Sequence, residues 1–183
     1  MKFRFNAVVG LAAFGLAMAA PSVMANSSPQ TATFQVLMKI NKSCTVAAGA
    51  GSNIQIGPVA GVDANAAVGQ TGTNNFSVTC SNTTVYNMAL QSSNNASTAG
   101  LGTMKGVTAG NTDTITYQLH SGSAAGPIWG NSGVTATTVG NGLGGTGNGT
   151  AQTIPVYAAV TTTAPANVTP DNYADTVTVS VYF

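Results

Sequence analysis

Asp175-Thr-Val-Thr-Val-Ser-Val-Tyr-Phe183 is the stretch from which the fold of this chain is inferred. In an extended conformation, one side carries hydroxyl groups and the other carries four apolar residues, Val177, Val179, Val181 and Phe183. Strict alternation of β-branched or aromatic residues with polar ones is typical of a half-buried β-strand. Because so apolar a strand needs neighbours, the stretch predicts a sheet that accepts a further strand beside it.

A second alternating segment lies near the start of the chain. Its apolar residues are Phe34, Val36, Met38 and Ile40, and the residues between them are polar except for Leu37. This pattern predicts a second strand. Both strands could belong to the sheets of one domain, or one of them could pair with another molecule, and the two patterns alone leave both alternatives open.

The first residues have the pattern of an export signal. Lys2 and Arg4 precede an apolar run, which is followed by small residues up to a cleavage site at Ala25. The run is too short to span a membrane, and no other stretch approaches the required length. We therefore predict that residues 1–25 are a signal peptide and that the exported protein has no transmembrane segment.

The two cysteines, Cys44 and Cys80, both lie in the exported part. In an oxidising compartment, two cysteines most simply form one disulfide. Metal binding is a poor alternative, because the sequence has neither a Cys-x-x-Cys motif nor clustered histidines. We expect one disulfide, no metal and no other cofactor.

Charged residues are rare after the signal, where three lysines stand against four aspartates. Nucleic-acid binding requires basic surfaces that neutralise phosphates, so this composition argues against a nucleic-acid partner. It also argues against a monomer that depends on charge repulsion for solubility. A protein that ends up in an assembly fits the composition better.

Short alternating segments recur after the signal, whereas helical periodicity is missing. Besides the two segments above, strands are predicted at residues 53–57, 74–80, 85–90, 112–120 and 152–160. Pro155 is expected at an edge or bulge. Residues 91–102 are predicted as a polar loop, and the glycine-rich residues 131–150 as a flexible excursion. Roughly seven or eight short strands separated by turns indicate an all-β sandwich.

Three features could carry chemistry or binding. The glycines from Gly142 to Gly147 match a dinucleotide-binding pattern, but they do not open a helix in a βαβ unit, so we predict a surface loop. His120 is the single histidine and lacks the partners of a catalytic triad, so we predict a strand-end surface residue and no enzyme. Trp129 is predicted to pack in the core, with stacking on a sugar ring as the alternative.

Several fragments, in their order along the chain, together resemble one known family. They are Lys42-Ser-Cys-Thr-Val46, Phe76-Ser-Val-Thr-Cys-Ser81, Val85-Tyr-Asn-Met-Ala-Leu90, Ile115-Thr-Tyr-Gln-Leu119, Ile128-Trp-Gly130, Ile154-Pro-Val-Tyr157 and Tyr173-Ala-Asp-Thr-Val-Thr-Val-Ser-Val-Tyr-Phe183. The set is similar to the spore coat protein U domain family of archaic chaperone–usher pilins in Gram-negative bacteria. Two departures are Ile56-Gly57, where the family often has Phe-Gly, and the residues after Leu119, where it often has an acidic residue.

The resemblance implies an incomplete immunoglobulin-like β-sandwich that is completed by donor-strand complementation from a neighbouring subunit or a chaperone. Residues 26–41 would be the donor-strand extension, and residues 42–183 the incomplete domain. The implied donor residues are Phe34, Val36, Met38 and Ile40. The implied acceptor groove, which also binds the chaperone, is formed by Val177, Val179, Val181 and Phe183. Cys44–Cys80 would be the disulfide of the family.

The function implied by the resemblance is that of a structural pilus subunit that polymerises by donor-strand exchange and serves adhesion and biofilm formation. Its partners would be identical or related pilin subunits, a periplasmic chaperone and an outer-membrane usher. Its final location would be the cell surface, after passage through the periplasm. The alternatives are a tip adhesin or carbohydrate-binding module, and a monomer whose own segment from Phe34 to Ile40 fills the groove.

Overall fold

The computed structural model describes residues 28–58, 60–63, 69–161 and 168–183. The chain divides into two units, residues 1–39 and 40–183. The predicted signal peptide, residues 1–25, lies outside the described residues. Within the described ranges, no helix has the length and apolarity needed to span a bilayer.

Nine β-strands and one short 3-10 turn at Ala50–Ser52 make up the regular structure described in residues 40–183. The strands are β1 (Cys44–Ala47), β2 (Thr71–Cys80), β3 (Val85–Ser92), β4 (Leu101–Gly106), β5 (Thr114–His120), β6 (Leu143–Thr146), β7 (Ala151–Val160), β8 (Tyr173–Ala174) and β9 (Val177–Tyr182).

The strands form two antiparallel sheets. The large sheet has the order β1-β2-β7-β5-β4-β8, and the small sheet has the order β6-β3-β9. Inward-facing residues of both sheets form the core, together with Trp129 from a connection. The main core residues are Phe76, Val78, Cys80, Tyr86, Met88, Leu90, Tyr117, Leu119, Trp129, Ile154, Val156 and Ala158. The predicted all-β sandwich is therefore confirmed.

The disulfide between Cys44 and Cys80 is present. Cys44 opens β1 and lies directly opposite Cys80, which closes β2. β1 is an edge strand whose neighbour in the large sheet is β2. The disulfide therefore fastens this edge strand to the sheet, and the predicted pairing is confirmed.

Pro155 lies in β7 opposite Asn75 of β2. The register between β7 and β5 covers Tyr157 to Val160, so β7 pairs with β2 alone at the level of Pro155. A proline is tolerated there because it lacks the N–H that a second neighbour would require. The prediction of an edge position is confirmed, although β7 as a whole is a central strand.

Two predictions of secondary structure are wrong. Residues 53–57 form a loop instead of a strand, since the Asn74 side-chain amide binds the carbonyl oxygens of Gly51 at 3.1 Å and Asn53 at 2.6 Å. Leu101–Gly106, which begins inside the predicted polar loop 91–102, forms β4. The strand was not recognised in the sequence because β4 contains glycines. Gly102 lies so close to Tyr117 that a Cβ on it would overlap the ring.

The prediction of a flexible excursion at residues 131–150 is also wrong, because Leu143–Thr146 is β6 and pairs with β3. Gly145 faces the Tyr86 ring, which leaves no space for a side chain. The preceding loop covers the outer surface of β3, where the Asn87 amide donates to the Thr135 carbonyl at 2.8 Å. Val134 of this loop is buried. The glycines therefore allow close packing here.

Candidate functional site

The candidate site is the unpaired edge of β9. β9 pairs with β3 on one side, from Val177 opposite Ser92 to Tyr182 opposite Asn87. In the described part of residues 40–183, no strand pairs with its other side. An edge of this kind presents free backbone N–H and C=O groups, and it is a template for pairing with another chain.

An open groove of about 620 Å³ runs beside this edge. Val177 and Val179 form one wall, and Ile54 and Ile56 belong to the opposite wall. The floor consists of core side chains from both sheets, among them Phe76, Leu90, Met104, Tyr117, Leu119 and Val156. The groove therefore reaches the hydrophobic core of the sandwich.

The four residues predicted for the acceptor groove take three different positions. Val177 and Val179 line the groove and pack against the core. Val181 packs against the core but does not line the groove. Phe183 follows the end of β9 and is 45% exposed. The alternating pattern thus identifies the strand and its inward side, and the groove covers the first part of that strand.

The apolar groove residues that the sequence interpretation missed include Ile54, Ile56 and Met104. Ile54 and Ile56 are separated by one polar residue, so their alternation was a usable signal for a shared apolar surface. Their segment forms a loop, and its two isoleucines pack against the core from the opposite wall. Met104 lies in β4, which was predicted as loop in part.

Asp175 lies between β8 and β9 and also lines the groove. Its carboxylate accepts hydrogen bonds from the Tyr117 hydroxyl at 2.9 Å and from the Ser92 hydroxyl. It also accepts the backbone N–H groups of Asn94 at 3.2 Å and Thr176 at 2.7 Å. Burial and the neighbouring carboxylate raise the pKa of Tyr117, so this phenol remains a donor. The network fixes this end of the groove.

The predicted donor residues lie in a segment without assigned secondary structure. The side chains of Phe34, Val36, Met38 and Ile40 are each at least 80% exposed. Large apolar side chains that are exposed together mark an interaction surface. The predicted roles of these residues as donors remain a prediction.

Trp129 is fully buried and does not face solvent. Its indole N–H donates to the carbonyl oxygen of Met88 at 3.0 Å, and its ring centroid lies 5.9 Å from that of Phe76. The packing role predicted for Trp129 is confirmed. The alternative role in sugar stacking is wrong, because the ring has no accessible face.

His120 and Asp113 lie beyond each other's reach. His120 is the last residue of β5 and its Nδ1 lies 2.7 Å from the carbonyl oxygen of Gly126, whereas Asp113 immediately precedes β5. A strand of this length separates its ends by about 20 Å. His120 and Asp113 therefore do not form the histidine–aspartate pair that a triad requires.

Two aspartates line a polar cavity of about 320 Å³ at the loops that precede β5 and β8. Asp113 accepts the N–H of Thr169 at 2.8 Å and its hydroxyl at 2.6 Å. Asp171 accepts the Asn111 amide at 2.8 Å and the Thr108 N–H at 2.9 Å, and these bonds lower its pKa to about 2. Both carboxylates stay ionised and hold the two loops together.

Comparison with known proteins gives one family match. A family model described as Spore Coat Protein U domain matches residues 30–180. No curated protein matches the sequence.

Two solved structures are similar to this chain at low identity. One is the CsuC–CsuE chaperone–tip adhesion subunit pre-assembly complex from archaic chaperone-usher Csu pili of Acinetobacter baumannii, with 18% identity, a TM-score of 0.47 and coverage of 79% of this chain and 40% of that chain. The other is a chaperone–tip adhesin complex of CFA/I fimbriae biogenesis, with 11% identity, a TM-score of 0.45 and coverage of 76% of this chain and 41% of that chain. This chain thus spans less than half the length of the matched chain in either structure.

Proposed function

The chain belongs to the spore coat protein U domain family, and on this premise we propose that it is a structural subunit of a surface pilus that polymerises by donor-strand exchange. The observation that carries the proposal is the unpaired edge of β9 above an apolar groove. A groove that opens into the core has to be filled, and a strand from another molecule can fill it while it pairs with the edge.

The segment from Phe34 to Ile40 has the chemistry that the groove requires. Every second residue is a large apolar one, and these side chains are exposed. Burying four such side chains contributes on the order of 6–12 kcal/mol as an upper bound. Backbone hydrogen bonds to β9 would add affinity, and the alternate side chains would add specificity.

The lengths of the two partners also agree. β9 has six residues and extends over about 17 Å, and the segment from Phe34 to Ile40 has seven and would extend over about 20 Å. In a head-to-tail series, each subunit would offer its extension to one neighbour and its groove to the other. Such a contact does not close on itself, and it therefore produces a filament.

The same groove accounts for the proposed assembly partners. An empty groove exposes apolar surface and an unpaired edge, which promotes aggregation. We therefore propose that a periplasmic chaperone lends a strand first, and that an outer-membrane usher then exchanges it for the extension of the next subunit. The finished fibre would stand on the cell surface and serve adhesion and biofilm formation.

A tip adhesin or carbohydrate-binding module was the alternative function. Its candidate sugar platform was Trp129, and this side chain is buried in the core. The alternative therefore loses one of the two features on which it rested, the other being the glycine-rich loops, and the structural role is the function that we propose.

Gel electrophoresis of fibres sheared from expressing cells tests the proposal. Without heating, donor-strand contacts should survive detergent and give a ladder of oligomers. After boiling, the ladder should collapse to one monomer band. A single monomer band in both lanes would overturn the proposal.

A further inference from the structure

Lys42 and three of the four aspartates lie at opposite ends of the sandwich. We propose that the end of the body that carries Asp113, Asp171 and Asp175 is the docking surface for Lys39 and Lys42 of a second copy of the chain. The inference rests on the proposed function, because the second copy arrives through its extension. It adds a charged contact between subunits to the proposed assembly.

The three aspartates lie in loops at one end of the sheets. Asp113 directly precedes β5, Asp171 lies just before β8, and Asp175 lies between β8 and β9. The start of β5 pairs with the end of β4, and the end of β4 pairs with β8, so these loops share one end of the large sheet. We call it the aspartate end. Hydrogen bonds keep the carboxylates of Asp113 and Asp171 ionised, because they lower both pKa values.

Lys42 lies at the opposite end of the body. It is exposed and comes two residues before Cys44, which pairs with Cys80 at the far end of β2. The start of β2 pairs with the end of β7, and the end of β7 pairs with β5, near the aspartate end. The ten residues of β2 therefore separate Lys42 from the aspartates by about 30 Å.

Within one subunit these charges are too far apart to attract each other. The Debye length is about 8 Å at physiological ionic strength, so a separation of about 30 Å is screened. Between subunits that stack end to end, the same charges could come within a few ångströms. Lys42 and the aspartates can therefore attract each other in an assembly but not within a lone molecule.

The direction of the incoming strand decides whether the charges meet. β9 begins at Val177, beside Asp175, and ends at Tyr182. A donor strand antiparallel to β9 would end with Ile40 at the aspartate end, and it would bring the neighbouring Lys39 and Lys42 there too. A parallel strand would leave both lysines near Tyr182.

The Tyr182 end of the groove offers the lysines no counter-charge in its nearby loops. Residues 81–84 and 147–150 form those loops, where the N–H of Gly147 donates to Thr84 at 2.8 Å. Neither loop contains a charged residue. The three carboxylates of the aspartate end attract the lysines more strongly than a single terminal carboxylate at Phe183 would, so Coulomb attraction favours the antiparallel direction.

An antiparallel donor strand has to come from a second copy. Residues 41–43 join Ile40 to Cys44, and this link spans at most about 14 Å. Gly149 lies in one of the loops at the Tyr182 end, and its N–H donates to the carbonyl oxygen of Cys80 at 3.0 Å. Because Cys44 pairs with Cys80, Cys44 belongs to the end of the body that lies beyond Tyr182. β9 alone extends over about 17 Å, so the link is too short to return from the aspartate end within one chain.

Rates of polymerisation measured with three matched chains test the inference. The exported chain is refolded by dilution from denaturant at ionic strengths of about 0.01 M and about 1 M, where the Debye lengths are about 30 Å and about 3 Å. Detergent-resistant oligomers are followed over time on unheated gels. The chains are the wild type, the double variant Lys39→Gln/Lys42→Gln, and Lys105→Gln. Lys105 is exposed and lies at the aspartate end, opposite Ala174.

At low ionic strength, the double variant should polymerise about threefold to tenfold more slowly than the wild type, and the difference should vanish at high ionic strength. Lys105→Gln also removes positive charge, but it makes the aspartate end more negative and should polymerise at least as fast as the wild type. Equal rates for the double variant and the wild type at low ionic strength would overturn the inference, and so would equal slowing by Lys105→Gln. The absence of any ladder from the wild type would instead contradict the proposed function.

Discussion

The hydroxyl of Tyr117 donates a hydrogen bond of 2.9 Å to the carboxylate of Asp175. Tyr117 belongs to β5 in the large sheet, and the same carboxylate also accepts the hydroxyl of Ser92 from β3 in the small sheet. One side chain thus joins both sheets where β9 begins. Because that point is also one end of the groove, the bond helps to hold the groove open at a fixed width.

Replacing Asp175 with alanine should lower the free energy of unfolding by about 2–3 kcal/mol, because the buried Tyr117 hydroxyl and the Ser92 hydroxyl both lose their acceptor. Urea unfolding followed by circular dichroism measures the change. Thr176→Ala is the matched control, since Thr176 is exposed and contributes its backbone N–H to Asp175. Equal unfolding midpoints for Asp175→Ala and Thr176→Ala would contradict this account.

Replacing Val36 with aspartate should reduce the yield of oligomers more than tenfold. Burial of a valine contributes about 1.5–3 kcal/mol, and each 1.4 kcal/mol corresponds to a factor of ten in the binding constant. Gln35→Asp introduces the same charge on the other side of the segment and should leave the ladder nearly unchanged. Unheated gel electrophoresis compares the two, and equal losses would show that the segment does not bind as an alternating strand.

Replacing both Cys44 and Cys80 with alanine should lower the free energy of unfolding by about 3–4 kcal/mol, because the bond closes a loop with a sequence separation of 36. Hydrogen exchange should show the largest loss of protection in β1, which pairs with β2 alone in the large sheet. The wild type treated with a reductant should behave like the variant. Unchanged protection in β1 would contradict the role assigned to the disulfide.

The stability of the protein should fall as the pH falls from about 5 to about 2. Hydrogen bonds from Asn111 and Thr108 lower the pKa of Asp171 to about 2, whereas an unfolded aspartate has a pKa of about 3.9. A depressed pKa contributes stability above the unfolded value, and this contribution is lost as protons bind below it. Urea midpoints measured across this range should decline less steeply in Asp171→Asn.

Asn111→Ala provides the second arm of that experiment. It removes the largest cause of the lowered pKa of Asp171, so the protonation of Asp171 in the folded protein should move to higher pH. If the urea midpoints of the wild type, Asp171→Asn and Asn111→Ala decline in the same way below about pH 5, the loop contacts of Asp171 do not contribute to stability in acid.

Much of the sandwich could be predicted from alternation alone. β2, β3, β5, β7 and β9 each place apolar residues on one side, and their inward residues form the core. The disulfide followed from the presence of two cysteines in an exported chain. Both inferences depend on local patterns that the folded structure preserves.

The wrong predictions concern segments that contain glycines or that depend on residues far away in the sequence. β4 and β6 contain glycines that pack under Tyr117 and Tyr86, so the residues that stabilise these strands lie elsewhere in the chain. The strand predicted at residues 53–57 forms a loop held by Asn74, a contact that local propensity cannot anticipate. The groove itself could be inferred from β9, but its opposite wall, with Ile54 and Ile56, depends on tertiary packing.

The attachment of β1 has a mechanical consequence for a fibre under tension. A pull on the extension would enter the folded body at Ser43 and Cys44, at the end of an edge strand with only four residues. So short a strand has few hydrogen bonds to β2, and they would give little resistance to such a force. The covalent bond from Cys44 to Cys80 passes that force directly into the ten-residue β2, so the body should resist extension until the large sheet itself yields.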